Sequence, residues 1–156
     1  MKLTLAQLLS VSQVSTTGPI FSSSPPGQKI PVALVYRKGV PRNGSAPLFQ
    51  YGYGSYGFAQ EPTFSIRNLS LVDRGWIWAI AHIRGGNEMG EAWHDDGMLM
   101  KKMNTFFDFV DCAEFLVEER WTSPDRLLIE GGSAGGLLMG AVVNERPDLF
   151  RAVHAA

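Results

Sequence analysis

Leu127-Leu128-Ile129-Glu130-Gly131-Gly132-Ser133-Ala134-Gly135-Gly136-Leu137-Leu138-Met139 sets the reading of everything around it. Leu127 to Glu130 reads as a short buried strand, Gly131 to Gly136 as a tight turn, and Leu137 to Glu145 as a helix that ends before Pro147. The turn carries G-x-S-x-G as Gly131-x-Ser133-x-Gly135 between a strand and a helix. That context is the one a nucleophile elbow needs. A serine there is forced into a strained backbone, and small neighbours let strand and helix approach closely. Its hydroxyl stands clear at the carboxyl edge of the sheet, and the next N–H, that of Ala134, faces a developing oxyanion. A glycine-rich turn without chemistry is the competing reading. A phosphate loop is excluded, because Leu137 and Leu138 stand where Lys and Ser/Thr would bind phosphate and magnesium.

Moving towards the N-terminus, the strongest helical pattern is Phe106, Phe109, Val110, Ala113, Leu116 and Val117, at i, i+3, i+4, i+7 spacing. Thr105 with Asp108 has capping-box spacing and marks its start. Asp108 and Asp111 read as solvated helix charges. Trp76 to Ile83 is a near-continuous apolar run, as in a strand covered on both faces. Leu69 to Asp73 closes a helix at Arg74-Gly75. Ile30 to Tyr36 and Pro47 to Tyr51 read as strands, separated by a turn at Lys38 to Ala46. Ala152 to Ala156 begins one more strand. Strands alternating with helices indicate an α/β sheet. Residues 1–29 differ: they are poor in charge and rich in Ser, Thr, Pro and Gly, and read as a loosely ordered lead-in. Lys2 ahead of Leu3, Leu5, Leu8 and Leu9 resembles a signal peptide, but the apolar stretch is short and no cleavage site follows.

Composition narrows the function classes. Fourteen basic and 15 acidic residues balance almost evenly, which argues against an electrostatic nucleic-acid or anionic-membrane binder. One cysteine excludes an internal disulfide framework. Charged residues are 19% of the chain, below the roughly 25% of a typical soluble protein, and hydrophobic residues are 45%, so a packed interior is expected. No apolar run approaches the roughly 18 residues of a membrane span.

A second glycine cluster, Tyr51-Gly52-Tyr53-Gly54-Ser55-Tyr56-Gly57, directly follows the Pro47 to Tyr51 strand. In α/β-hydrolases the loop after the third strand supplies the other oxyanion donor. Tyr53 is the best placed for that by motif. Tyr51 and Tyr56 are read as packing or pocket residues. Arg84-Gly85-Gly86-Asn87-Glu88 reads as a loop fixed by an Arg84–Glu88 ion pair. None of the three histidines fits a late-loop catalytic base. His82 reads as a satisfied core residue, and His94-Asp95-Asp96 looks metal-like but lacks a second ligand cluster. His154 lies too soon after Ser133. Cys112 sits beside the apolar stripe and reads as packing.

Taken together, the Tyr51–Gly57 loop, Asp73-Arg74-Gly75, and His82-Ile83-Arg84-Gly85-Gly86 with Glu88 and Gly90 resemble the prolyl oligopeptidase family. So do Lys101 to Phe106, Gly131 to Gly136, and Asn144 to Phe150. The Ser-Tyr-Gly loop, the Asn-Thr-Phe helix start and Ala134 are most similar to the oligopeptidase B branch. The resemblance runs from about Ile30 to Ala156.

It implies an α/β-hydrolase fold: the N-terminal part of a peptidase catalytic domain with a mostly parallel sheet, spanning 30–156 and truncated after the nucleophile helix. It implies a serine peptidase that cleaves short peptides through an acyl-enzyme on Ser133, after Lys or Arg, or after Pro. The Tyr53 hydroxyl and the Ala134 N–H would form the oxyanion hole, with Tyr56 in the substrate pocket. No metal or cofactor is implied, and neither nucleic acid nor membrane is expected as a partner. The family's β-propeller is not encoded here, and its triad Asp and His would lie downstream, so the chain alone is expected to be nearly inactive. An esterase or acylaminoacyl-type hydrolase, and a truncated non-catalytic product, stay open as alternatives. The cytoplasm is the default location.

Overall fold

The computed structural model describes residues 14–16, 20–24, 27–61, 63 and 65–156. Its centre is a seven-stranded sheet formed by β1 (Val14–Thr16), β2 (Ile20–Ser24), β3 (Gln28–Arg37), β4 (Leu48–Tyr51), β5 (Ile77–Ala81), β6 (Leu127–Gly131) and β7 (Ala152–Ala155). The order is β1-β3-β5-β4-β6-β7, with β2 also pairing β3. β5, β4, β6 and β7 run parallel, joined by helical connections. β3 lies antiparallel to β5, and β1 and β2 are antiparallel to β3. The sheet is therefore mixed, its parallel part confined to the half that carries the Ser133 turn. It also reaches back into the segment read as a lead-in, because β1 and β2 belong to it. The Leu3 to Leu9 stretch lies outside the described residues.

Helices cover both faces. α1 (Ile66–Val72) connects β4 to β5 and packs Val72 against Trp78 and Ile80. On the opposite face lie α3 (Met103–Glu118) and α4 (Ala134–Glu145). There Phe109, Ala113, Leu116, Leu138, Met139 and Val142 meet Leu48, Ile77, Ala79, Leu127 and Ile129. α2 (Glu91–Asp95) is a short turn of helix between β5 and α3. This two-sided cover explains why every residue of β5 is buried and why its sequence shows no alternation. Phe109 is fully buried, and burying a phenylalanine contributes about 1.5–3 kcal/mol.

Four local expectations are corrected. α3 begins at Met103, so Thr105 and Asp108 lie inside the helix and make no capping box. Asp108 is not solvated. It is fully buried, accepting hydrogen bonds on Oδ2 from the Arg84 N–H and Nε, at 2.9 and 2.8 Å, and pairing Oδ1 with Arg84 Nη2 at 2.5 Å. Arg84 therefore pairs with Asp108 across 24 residues and not with its near neighbour Glu88. A charge buried in this way needs a bidentate partner, which the helix face supplies and the loop cannot. α4 starts at Ala134 rather than Leu137, since Gly135 and Gly136 are helical. No described helix is long and apolar enough to cross a membrane.

Candidate active site

Strand β6 ends at Gly131 and α4 begins at Ala134, so only Gly132 and Ser133 make the bend. Ser133 has φ 55 and ψ −117, a left-handed conformation rare for a residue with a side chain. Space forces it. A Cβ on Gly131 would stand 2.4 Å from the Gly135 carbonyl oxygen, and one on Gly135 would stand 3.0 Å from that of Gly52. Glycines at these two positions bring β6, α4 and the loop after β4 into contact. Ser133 precedes the helix but makes no side-chain cap, and the residue is exposed. Its N–H instead donates to the Ala156 carbonyl at 2.7 Å. The Ala134 N–H opens the helix and has no partner among the described residues. It is one of the orphan donors of a helix N-terminus, where partial positive charge accumulates.

The loop 51–57 passes directly beside this bend. A Cβ on Gly135 would lie 3.7 Å from Tyr53 Cδ2. Tyr53 is half-buried, its ring edge-on to Phe58 with centroids 6.0 Å apart. The Gly52 N–H donates to the Glu130 carbonyl at 3.2 Å, which ties the loop to β6. Underneath, the Phe109 ring occupies the space a Cβ on Gly52 would need, at 2.6 Å. Tyr56, at φ 57 and 82% exposed, lines an open recess with Met98, Leu99, Ala134 and Leu137. The structure thus gathers Ser133, Ala134, Tyr53 and Tyr56 on one edge of the sheet.

Of the other candidates, His94 lines the same recess as Tyr56 and Ala134, whereas His82, His154 and Cys112 do not. His82 is buried, but its Nδ1 makes no hydrogen bond and stands 3.7 Å from Glu88 Oε1. His94 pairs with Asp95 at 3.2 Å. His154, on β7, faces Glu130 at 3.5 Å. No group of three metal-ligating side chains occurs among the described residues. Cys112 is fully buried, with Sγ 3.2 Å from Ser22 Oγ, and burial pushes its thiol pKa far above the usual value. Sequence reading missed Lys102, whose Nζ donates to the Gly54 carbonyl at 2.6 Å and to Ser55 Oγ at 2.8 Å. Its signals were its place just before α3 and its membership of the Lys101 to Phe106 segment that carries the family resemblance.

A family model described as the prolyl oligopeptidase family matches residues 62–156. The chain belongs to the prolyl oligopeptidase family. Dipeptidyl aminopeptidase BI of Pseudoxanthomonas mexicana is 58% identical over 125 residues, which are 80% of this chain and 17% of that protein. Oligopeptidase B from Leishmania major superposes with a TM-score of 0.88 at 49% identity, covering 92% of this chain and 20% of that one. Oligopeptidase B from Trypanosoma brucei, solved with covalently bound antipain, gives a TM-score of 0.88 at 47% identity, covering 92% and 20%. The chain spans about a fifth of the length of these prolyl oligopeptidase relatives. The mixed sheet with helices on both faces is that of their α/β-hydrolase catalytic domain.

Proposed function

We propose that this chain supplies the nucleophile and oxyanion-binding side of a serine peptidase site acting on short peptides. The observation that carries the reading is the exposed Ser133 at φ 55 on the β6–α4 bend, beside the unpartnered Ala134 N–H. In this reading Ser133 Oγ attacks the scissile carbonyl. A general base takes its proton, and the carbonyl oxygen becomes an oxyanion held by the Ala134 N–H and the Tyr53 hydroxyl. Collapse breaks the C–N bond as the protonated base gives its proton to the departing amine, leaving an acyl-Ser133 ester that water then hydrolyses. None of His82, His94 and His154 is assigned as the base; their Nδ1 atoms stand 3.7, 3.2 and 3.5 Å from Glu88, Asp95 and Glu130. Tyr56 is assigned to the substrate pocket from its place in the recess beside Ala134.

Cleavage after Lys or Arg is the preference we infer, from the likeness to oligopeptidase B. Cleavage after Pro is the second reading, favoured by a prolyl endopeptidase structure at 45% identity. The test compares Arg- and Pro-containing fluorogenic peptides with the full-length polypeptide that carries these residues. Turnover lost in Ser133→Ala supports the reading. Turnover retained in that variant overturns it.

A further inference from the structure

The loop that carries Tyr53 has an awkward backbone. Gly54, Tyr56 and Gly57 all have positive φ, at 61, 57 and 62. The two glycines take this conformation freely, but Tyr56 carries a side chain there and is strained, so the loop needs support from its surroundings. Local bonds tie its ends: the Gly52 N–H to Glu130, and the Gly57 N–H to the Gly85 carbonyl at 3.0 Å. The middle is held from below. Gly54 is buried with its carbonyl against Gly85, where a Cβ would come within 2.1 Å of that oxygen. A buried carbonyl needs a donor, and the donor is the half-buried ammonium of Lys102, which also binds the Ser55 hydroxyl. Burial lowers the Lys102 pKa. Charge-assisted bonds of this kind, shielded from water, are among the stronger ones.

Lys102 is itself fixed by the start of α3. Three residues on, Thr105 Oγ1 donates to the Arg84 carbonyl at 2.7 Å. One turn further, Asp108 holds the Arg84 side chain. Tyr53 therefore sits between two anchored residues, Gly52 tied to the Ser133 strand and Gly54 tied to α3.

We infer that Lys102 is a positioning residue for the oxyanion donor: its ammonium holds the Gly54 carbonyl so that the Tyr53 hydroxyl stays aimed at the Ser133 bend. This rests on the peptidase reading above, in which Tyr53 and Ser133 have those roles. Lys102 also lines the recess that holds Tyr56 and Ala134, and the role inferred for it is exerted through Tyr53.

A double-mutant cycle in the full-length polypeptide tests it. Lys102→Met keeps the stem and removes the donors. It is expected to lower kcat about tenfold to a hundredfold, less than loss of an oxyanion donor itself, with KM changed by less than about twofold. Lys102→Arg, which keeps charge and donors, is expected to recover part of the loss. In a Tyr53→Phe background, Lys102→Met is expected to cost less than about threefold further, because the hydroxyl it positions is gone. Equal losses in both backgrounds, or a change confined to KM, would overturn the inference. If Lys102→Met melts too low to assay, Lys102→Gln, which keeps one donor for the carbonyl, runs the same cycle with the same criteria. Turnover that survives Ser133→Ala instead sinks the peptidase reading, so the two failures are distinguishable.

Discussion

Ser133 combines a positive φ with a free hydroxyl, and the two belong together. A side chain in this region costs about 1–3 kcal/mol, which persists only because the flanking glycines lock the bend. Ser133→Gly should therefore stabilise the fold, by about 1 kcal/mol after glycine's added unfolded-state entropy, while abolishing peptide turnover. Urea unfolding beside a peptide assay checks both halves. Tyr53→Phe should keep the ring contact with Phe58 and lower kcat by about 10²–10³ if its hydroxyl is an oxyanion donor. Steady-state kinetics reads that loss. Cys112 gives a pH prediction. Its thiol has a raised pKa in the fold, first because burial disfavours the thiolate. The unfolded thiol ionises near 9.0 while the folded one stays protonated, so the unfolded state binds fewer protons above that pH. Stability should then fall as pH rises past 9.0, and fall less in Cys112→Val. The native thiol should resist iodoacetamide until denaturant is added.

At the scale of elements, the start of α3 does more than continue a helix. Lys102, Thr105 and Asp108 reach successively to loop 51–57, to the Arg84 and Gly97 carbonyls and to the Arg84 side chain. The first two turns of the helix thus join both glycine-rich loops. Asp108→Ala leaves Arg84 buried without its carboxylate and should cost about 3–5 kcal/mol. Urea melts should show that loss, whereas removing the exposed Lys101–Asp96 pair should be close to neutral. The Thr105 and Asp108 spacing looked like a cap because a capping box and an i, i+3 pair on a buried helix face are the same pattern. The partner that separates them lies 24 residues away in sequence.

Over the whole molecule, the sheet is covered unevenly. Every residue of β5 is buried, whereas every residue of β7 is exposed. Among the described residues no strand pairs with the outer edge of β7. An uncovered edge of this kind recruits other strands. The isolated 156-residue polypeptide should therefore self-associate with rising concentration. Sedimentation velocity over a concentration series checks this, with Val153→Lys expected to shift the distribution toward monomer.

Local chemistry sufficed for the strand–turn–helix around Ser133, the α3 stripe and the doubly buried β5. Gly131, Ser133 and Gly135 have no other economical conformation, and apolar periodicity reports which faces are covered. Tyr53 was singled out by motif, as the tyrosine in the glycine-rich loop that follows the Pro47 to Tyr51 strand. Tertiary structure alone decided the antiparallel pairing of β3 with β5, the Arg84–Asp108 bond and the grip of Lys102 on Gly54. Each joins groups far apart along the chain, and a donor's type does not name its acceptor until packing brings the two together and excludes water.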